Sequence, residues 1–471
     1  MDTRPTSAAS LPAASSARGA WLSELRATFA LAWPLVVAQL AQNLFYTTDV
    51  IMMGWLGPQF LAAGALASAF MMPVLLLGIG IVGAVAPLVA QARGARDIKA
   101  VRRVVRQGFW VSLVLSVALI PVLYQIKPIF GLLGQDPETA LLAETYIQIA
   151  AWAVVPQLLI IVLRSLLSAF DATRAILLVT VVGVVISAAS NYLLIFGNFG
   201  FPRLELRGAA ISTVAINWLM FGLLLLYVLR HQRFRRFHIL LRLLKPDWPR
   251  FREIFVVGVP IGMTILAEVS MFSAAALLMG RLGTDEVAAH AVALQCASTA
   301  FMVPLGIGMA TTVRVGIAYG RNDPRGVGRA GWIGLVVGTG FMVLTALLFL
   351  TNGEFFVQLF LDPAQAGNAN ALRLAGTFLI IAGVFQVVDG AQVVAAHALR
   401  GLSDTAVPML IALAGYWAVG MPIAWIGAFV LDWEGVGIWI GLASGLAAVS
   451  VVLVARFAMR ERLGLMTPRV V

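Results

Sequence analysis

Long apolar runs alternate with short polar segments along almost the whole chain. Twelve runs lie between charged residues, prolines and glycines, at 26–53, 60–90, 107–126, 139–168, 174–196, 208–230, 252–280, 286–313, 330–350, 368–398, 406–430 and 435–456. A helix rises about 1.5 Å per residue, so roughly 20 residues cross the ~30 Å hydrocarbon core of a bilayer. The pattern therefore predicts an all-α integral membrane protein with twelve transmembrane helices.

Lysine and arginine are concentrated in alternate connections between these runs. The most basic connections are 93–106, after the second run, and 230–252, after the sixth. Cytoplasmic loops of membrane proteins carry an excess of Lys and Arg. If both termini are cytoplasmic, all but five of the 33 basic residues fall on the cytoplasmic side, so we expect that orientation. We also expect the loop at 230–252 to contact anionic lipid.

The second basic connection divides the chain into two halves of six helices. We expect a disordered cytoplasmic tail at 1–25, an N-lobe at 26–230, a cytoplasmic linker at 231–251, a C-lobe at 252–456 and a second cytoplasmic tail at 457–471.

The two halves are related by an internal repeat. Adding 226 to a residue number carries Pro34 onto Pro260, and after ten further residues in the second half Arg164 corresponds to Arg400. Because each copy has an even number of helices, both copies begin on the same side of the membrane. The repeat is therefore parallel, about an axis along the membrane normal.

Three carboxylates lie inside predicted spans: Asp49, Glu268 and Asp389. An aspartate at a helix centre costs about 2.5 to 3.5 kcal/mol to insert, so a proton, a cation, a polar neighbour or water must relieve its charge. Under the repeat Glu268 corresponds to Gln42 and Asp49 to Ala275, so each half has its own polar site. We expect these acids to bind a coupling cation; the alternative is a structural hydrogen bond between helices.

Amide and hydroxyl side chains lie within two helical turns of these acids, at Gln386, Gln392, Thr264, Gln42 and Asn43. Oxygen-rich, flexible surroundings suit a hard alkali cation as well as a proton. Two neighbouring carboxylates also resist simultaneous ionisation unless a cation enters. The pattern therefore predicts a site at Glu268 and Asp389 for which Na+ and H+ compete.

The composition excludes several other classes of protein. Hydrophobic residues make up 61% of the chain and charged residues 12%, against about 25% charged in globular proteins. The net charge of +11 reflects topology and not nucleic-acid binding. One cysteine, Cys296, provides neither a disulfide nor a metal cluster. The chain has no P-loop, and the glycine pattern at 78–83 lies inside an apolar run. We therefore expect no cofactor and no enzymatic activity.

Three longer segments carry a family resemblance: LAWPLVVAQLAQNLFYTTDVIMMGWLG at 31–57, VAAHAVALQCASTAFMVPLGIGMATTVRVG at 287–316, and FQVVDGAQVVAAHALRGLSDT at 385–405. They resemble the multidrug and toxic compound extrusion (MATE) family, and are most similar to its bacterial NorM-like branch. The resemblance implies two six-helix lobes around a central cleft that opens alternately to each side. It also implies export of cationic drug-like compounds in exchange for Na+ or H+.

The resemblance also assigns roles to individual residues. Glu268 and Asp389 match the acidic residues of the family's cation site in the C-lobe, and Asp49 matches the aspartate of its first helix. Asn191 falls where the family has a polar partner on the fifth helix. Phe385 stands where some relatives carry a tyrosine near the cation. We expect a monomer in the bacterial inner membrane, surrounded by lipid, with small cationic drugs or toxins as substrates.

Methionine and aromatic side chains adapt readily to different ligands, so Met263, Met302 and Phe385 are candidates for the drug-binding surface. His290 and His397, on different helices, are either a metal pair or proton shuttle or, more simply, packing residues.

Three rival functions stay open. A flippase for lipid-linked sugars needs cationic side chains in its cavity to hold a diphosphate, and we expect no Lys or Arg in mid-span. An intramembrane enzyme could use two acids as a dyad, although one of them is a glutamate and an enzyme does not need the repeat. An ion channel predicts conductance without stoichiometric exchange.

Overall fold

A computed structural model describes residues 17–132, 134–200, 202–235, 237–239, 245–363, 365 and 368–467. This part of the chain contains twelve helices that are long and apolar enough to cross a membrane, and no strand. They are α1 (Ala17–Leu56), α2 (Pro58–Gly94), α3 (Ile98–Tyr124), α4 (Pro137–Ala169), α5 (Thr173–Phe196), α6 (Glu205–Arg230), α7 (Trp248–Leu282), α8 (Thr284–Gly320), α9 (Pro324–Gln358), α10 (Ala369–Gly401), α11 (Ala406–Val430) and α12 (Glu434–Ala458). The prediction of a twelve-helix, multi-pass membrane protein is confirmed.

The expected tails and linker contain more helix than their polar composition indicated. Helix α1 begins at Ala17, so the prediction of disorder is wrong for 17–25, while 1–16 lie outside the described residues. The expected linker includes a short helix, Gln232–Arg235, and the start of α7. In the expected C-terminal tail the chain continues through turns to Thr467.

Aspartate side chains cap several helices at positions that the repeat relates. Asp97 accepts a hydrogen bond from the backbone N–H of Ala100 at the start of α3, and Asp323 accepts one from Gly326 at the start of α9. Such caps satisfy backbone donors that the first turn leaves free. Asp136 caps α4 in the same way, and the Thr139 N–H that donates to it holds the pKa of that carboxyl below its usual range.

Helices α4 and α11 contain stretches that depart from regular α geometry. In α4 the residues Ala151–Ala153 form a 3₁₀ turn. In α11 the stretches Ala414–Gly420 and Ile426–Val430 are π-helical. Single π turns widen the helix and often occur at functional positions. The first π stretch carries Tyr416, whose place in the C-lobe is described below.

The chain forms two six-helix lobes. In the first lobe α1 packs on α5, α5 on α6, and α2 on α4; in the second, α10 is the central helix and packs on α8, α9 and α12. The lobes meet where α1 and α2 lie against α7 and α8. Glycines allow this close approach: a Cβ atom on Gly80 would collide with the backbone of Gly262, and one on Gly94 with that of Gly320.

Polar contacts reinforce this seam on the side of the membrane that carries the termini. Arg314 of α8 binds Glu24 of α1 through two hydrogen bonds of 2.7 and 2.6 Å. Gln91 of α2 donates to the Gly401 carbonyl at 2.9 Å and to the Ser403 hydroxyl at 3.0 Å. All of these residues lie toward the termini side of their helices. The seam therefore holds the lobes together at one end of the molecule.

The connection between the lobes is also attached to the first lobe. Asp247, just before α7, accepts hydrogen bonds from Arg103 of α3, one of them 3.1 Å long, and Arg106 lies 3.9 Å away. The hydrogen-bonded Arg103 guanidinium holds the pKa of the Asp247 carboxyl below its usual range. This ion pair fixes the start of the second lobe against the first.

Candidate functional site

The two acids of the C-lobe face the same interior space from different helices. Glu268 projects from α7 and Asp389 from α10, and the two carboxyl groups interact electrostatically. Asp389 is only 5% exposed, whereas Glu268 is half-buried. The structure therefore brings together the two residues that the sequence assigned to one cation site.

Buried polar atoms without a partner surround Asp389. They are Asp389 Oδ1, Gln386 Nε2 and Gln392 Oε1, all on α10. Leaving a buried polar group unpaired costs about 1 to 3 kcal/mol, and more for a charged group. The remaining Gln386 oxygen accepts a hydrogen bond from Thr345 of α9 at 3.0 Å. A cation, a proton with water, or water alone would satisfy the free oxygens.

Tyr416 of α11 completes this cluster and was not among the residues selected from the sequence. Its side chain is fully buried, and its hydroxyl accepts a 2.7 Å hydrogen bond from Gln392 Nε2. Both side chains also approach the Glu268 carboxylate as hydrogen-bonding neighbours. Phe385, the position where some relatives carry tyrosine, has no hydroxyl, so Tyr416 supplies a phenol from a different helix.

An arginine also reaches the C-lobe acids. Arg400, near the end of α10, is partly buried and interacts electrostatically with Glu268. Its Nη1 donates to His397 Nε2 at 3.3 Å. Arg400 lies in the last turn of α10, beyond the span predicted at 368–398, so it does not contradict the expectation of no Lys or Arg in mid-span. In the sequence, the internal repeat singled out Arg400 as the counterpart of Arg164. The sequence alone did not show which way either side chain points.

The N-lobe site is built around Asp49 and Asn191. Asn191 Nδ2 of α5 donates to Asp49 Oδ1 of α1 at 2.5 Å, and the two side chains are 1% and 8% exposed respectively. Both residues were selected from the sequence, and the structure places them in direct contact. The Asn191 amide oxygen has no partner.

Tyrosines surround the Asp49–Asn191 pair, and the sequence reasoning missed them. Tyr46, one turn before Asp49, is hydrogen-bonded to Gln42, and Tyr146 of α4 lies close enough to Asp49 to interact electrostatically. On the termini side of this cluster, Arg164 donates to the amide oxygen of Gln39 at 2.9 Å. The N-lobe arginine is thus bound to a neutral amide, whereas its counterpart in the C-lobe faces a carboxylate.

The other predicted polar residues occupy less direct positions. The Thr264 hydroxyl, one turn before Glu268, donates to the Pro260 carbonyl at 2.8 Å. Asn43 lies on α1 and is half-buried. Thr264 therefore lies close to one of the C-lobe acids, and the functional roles of Thr264 and Asn43 stay predictions.

The three residues predicted to line a drug-binding surface differ in their exposure. Met263 and Met302 are half-buried. Phe385 is only 2% exposed, and its ring packs on Phe272 and Trp439 with centroids 6.1 and 5.8 Å away. In this conformation Phe385 is packed in the interior of the C-lobe, and its role in a drug-binding surface stays a prediction.

The two histidines do not form a metal pair. His397 is hydrogen-bonded to the Val393 carbonyl at 2.8 Å, while His290 packs against Trp439 with ring centroids 5.5 Å apart. Within the described ranges no group of three or more His, Cys, Asp or Glu side chains is arranged to hold a metal ion. Both histidines are packing residues of the second lobe.

Comparison with known proteins agrees with this architecture. A family model described as MatE matches residues 34–193 and 260–426. The chain is 46% identical over 437 residues to a probable multidrug resistance protein NorM of Rhizobium meliloti, covering 93% of this chain and 94% of that protein. It is 44% identical to a protein of the same description from Mesorhizobium japonicum, covering 94% and 95% respectively.

The fold also matches solved structures. A mutant of the Vibrio cholerae MATE transporter VcmN superposes with a TM-score of 0.85 at 18% identity, covering 95% of this chain and 99% of that one. At that identity the likeness shows the fold alone, but the family model and the NorM relatives extend over both lobes. The chain therefore belongs to the MATE family, as the resemblance of its three sequence segments indicated.

Proposed function

We propose that this protein is a secondary multidrug exporter of the bacterial inner membrane, which exchanges cationic drug-like compounds for Na+ or H+ by alternating access. Its NorM relatives are described as probable multidrug resistance proteins, which supports a drug substrate. The twelve apolar helices and the bias of basic residues toward the termini side support a cytoplasmic location for both ends.

The observation that carries the proposal is the burial of an Asp389 carboxylate oxygen without a hydrogen-bond donor. This oxygen lies in the interior of a membrane lobe, with a second acid nearby. Hydrogen bonds within membrane helices contribute on average only ~0.6 kcal/mol, which does not offset the cost of inserting an acid. A group in this situation is stabilised when it binds a small cation and destabilised when the cation leaves.

The seam between the lobes supports an outward-open form. The glycine contacts, the Glu24–Arg314 ion pair and the Gln91 hydrogen bonds all lie toward the termini side. With the termini in the cytoplasm, these contacts close the inner end of the space between the lobes and leave its outer end free to open. In this form the site at Glu268 and Asp389 takes up Na+ or H+ from the external solution, and Asp49 acts as a second protonation site.

Exchange follows from the charges at the site. Cation binding neutralises the acids, which weakens the attraction for a cationic drug and releases it outside. The ion-loaded lobes then rock inward, where drug binding favours release of the ion. Each ligand must weaken the other by the same factor, because the coupling free energy is shared.

Reconstitution into liposomes tests the proposal. Purified protein is assayed for ethidium transport with a Na+ gradient or a pH gradient imposed separately, and we expect one of the gradients to drive transport. Asp389→Asn should abolish the gradient-driven component while the protein stays folded in detergent. Glu354→Gln, an exposed acid of the same lobe, is the matched control and should transport like the parent.

Transport that responds to neither gradient would contradict antiport. Normal gradient-driven transport by Asp389→Asn would make Asp389 a purely structural residue. Conductance without drug exchange would indicate a channel, and hydrolysis of lipid or peptide substrates by the purified protein would indicate an intramembrane enzyme. The buried arginines do not favour a flippase, since Arg400 faces Glu268 and Arg164 binds Gln39.

A further inference from the structure

A small cavity lies on the termini side of the C-lobe acids. It is enclosed by α7, α10, α12 and the start of α11, and its lining includes Thr264, Ala396, Arg400, Asp404 and Thr405. Its free volume of about 10 Å³ corresponds to roughly one water molecule. The lining is polar for the interior of a membrane protein, because an arginine, an aspartate and two threonines contribute to it.

Two helices, α7 and α10, contribute residues both to the cavity lining and to the acid site. On α7, Thr264 lies one turn from Glu268 in the direction of the termini side. On α10, Gln392, Ala396 and Arg400 follow Asp389 at intervals of three or four residues, so they share one face of the helix. Eleven residues of helix separate Asp389 from Arg400, a rise of about 16 Å. Ala396, which also lines the cavity, has only a small side chain at this point.

Arg400 is directed into the lobe and not toward the membrane surface. Side chains on a helix tilt toward its N-terminus, and Arg400 lies in the last turn of α10. Its guanidinium therefore points back toward the membrane interior, where it interacts electrostatically with Glu268 and Tyr416. The C-terminal end of a helix also favours a positive charge.

The other charged groups around the cavity are engaged elsewhere. Asp404 accepts two hydrogen bonds from Arg456 of α12, at 2.7 and 3.1 Å. His397 accepts from Arg400 through Nε2 and is bound to the Val393 carbonyl through Nδ1. Glu268 is thus the acid on which the Arg400 charge acts from the cavity side.

We propose that this cavity is the route by which the coupling cation leaves toward the termini side, with Arg400 as the positioning residue that controls its release. The proposal rests on the exporter function proposed above. While Na+ or H+ is bound, it neutralises Glu268. When the ion leaves, the Arg400 guanidinium remains as the counter-charge, so the empty site does not hold an uncompensated carboxylate in a low-dielectric interior.

The test compares ion dependence in three variants. Half-maximal ion concentration for gradient-driven ethidium export is measured for the parent, Arg400→Gln and Arg400→Lys. An adjacent positive charge weakens cation binding to a carboxylate by about one to three powers of ten. Removing this charge in Arg400→Gln should therefore make the protein bind the ion at least tenfold more tightly and transport drug more slowly. Arg400→Lys keeps the charge and should stay near the parental midpoint.

Two further variants separate the inference from general damage. Arg329→Gln removes an arginine of the same lobe that is paired with Asp323 at 3.6 Å, away from the cavity, and should leave the midpoint unchanged. Ala396→Leu keeps Arg400 but fills a space of about one water molecule, so export should fall roughly tenfold while ion binding in detergent keeps its midpoint. The second variant gives a result even if Arg400→Gln does not fold.

An unchanged midpoint in folded Arg400→Gln would overturn the role of Arg400, and parental export by Ala396→Leu would overturn the exit route. Failure of the parent to respond to either ion gradient would instead overturn the exporter function on which the inference rests.

Discussion

The two lobes share a scaffold but satisfy their buried acids in different ways. In the N-lobe, Asp49 receives a hydrogen bond from Asn191 at 2.5 Å, and Arg164 is bound to the neutral side chain of Gln39. In the C-lobe an oxygen of Asp389 has no partner, and Arg400 faces a carboxylate. An acid that has a hydrogen-bond donor needs a ligand less than an acid with a buried, unpartnered oxygen does. The comparison therefore favours the C-lobe as the main coupling site of the proposed exporter.

The largest effects that test this difference between the lobes are expected when one acid in each lobe is neutralised. Glu268→Gln should reduce gradient-driven export to the background of empty liposomes, because the remaining acid no longer forms a two-carboxylate site. Asp49→Asn removes one charged hydrogen bond, worth about 1.5 to 3 kcal/mol, and should lower export by roughly tenfold while the ion dependence persists. Transport rates in the same liposome preparation measure both. Equal losses from the two variants would contradict the assignment of the main site to one lobe.

A smaller effect is expected from the phenol that joins α11 to the C-lobe site. Tyr416→Phe leaves Gln392 without its 2.7 Å partner and removes a hydroxyl near Glu268. Loss of one such hydrogen bond costs about 1 kcal/mol, so ion binding should weaken by roughly fivefold. Titration of the ion dependence of export measures the shift. Tyr192→Phe, at an exposed position of α5, is the control. If this variant shifted the ion dependence of export by a similar amount, the effect of Tyr416→Phe could not be assigned to the C-lobe site.

The smallest effect is expected at the connection between the lobes. The lowered pKa of Asp247 means that its ion pair with Arg103 stabilises the fold above the unfolded pKa of about 3.9, and that this contribution is lost as pH falls through the lower folded pKa. Asp247→Asn should therefore lower the thermal midpoint slightly and equally at pH 6 and pH 8. Thermal unfolding in detergent measures this. If the decrease in thermal midpoint were larger at pH 8 than at pH 6, this would contradict the assignment of the effect to the Asp247–Arg103 ion pair.

Most of the fold could be predicted from the sequence because hydrophobic length and basic connections are local signals. The eleventh span was predicted at 406–430, and α11 occupies Ala406–Val430. The start of α1 was missed because residues 17–25 include Arg18, Ser23 and Glu24 and follow a stretch rich in Ser, Ala and Pro; their helix is supported by an ion pair between Glu24 and the distant Arg314. Local polarity does not reveal a partner 290 residues away in the chain.

The site was predictable only in part, for the same reason. A carboxylate inside an apolar run is conspicuous, so Asp49, Glu268 and Asp389 were selected directly. Tyr416 is not conspicuous, since an aromatic residue fits any membrane span and its position depends on the π-helical turn of α11. The repeat had already paired Arg164 with Arg400, but their inward direction depends on the direction and end of each helix. These features require the packed structure.

The most direct test of the central claim is uphill drug transport by the double variant Glu268→Gln, Asp389→Asn in liposomes carrying the ion gradient that drives the parent. Because the variant has no carboxylate left in the C-lobe site, we predict that it binds cationic drug more weakly than the parent in detergent and accumulates none against a gradient. Accumulation at the parental rate would contradict the account, because the energy of the ion gradient would then enter the protein elsewhere.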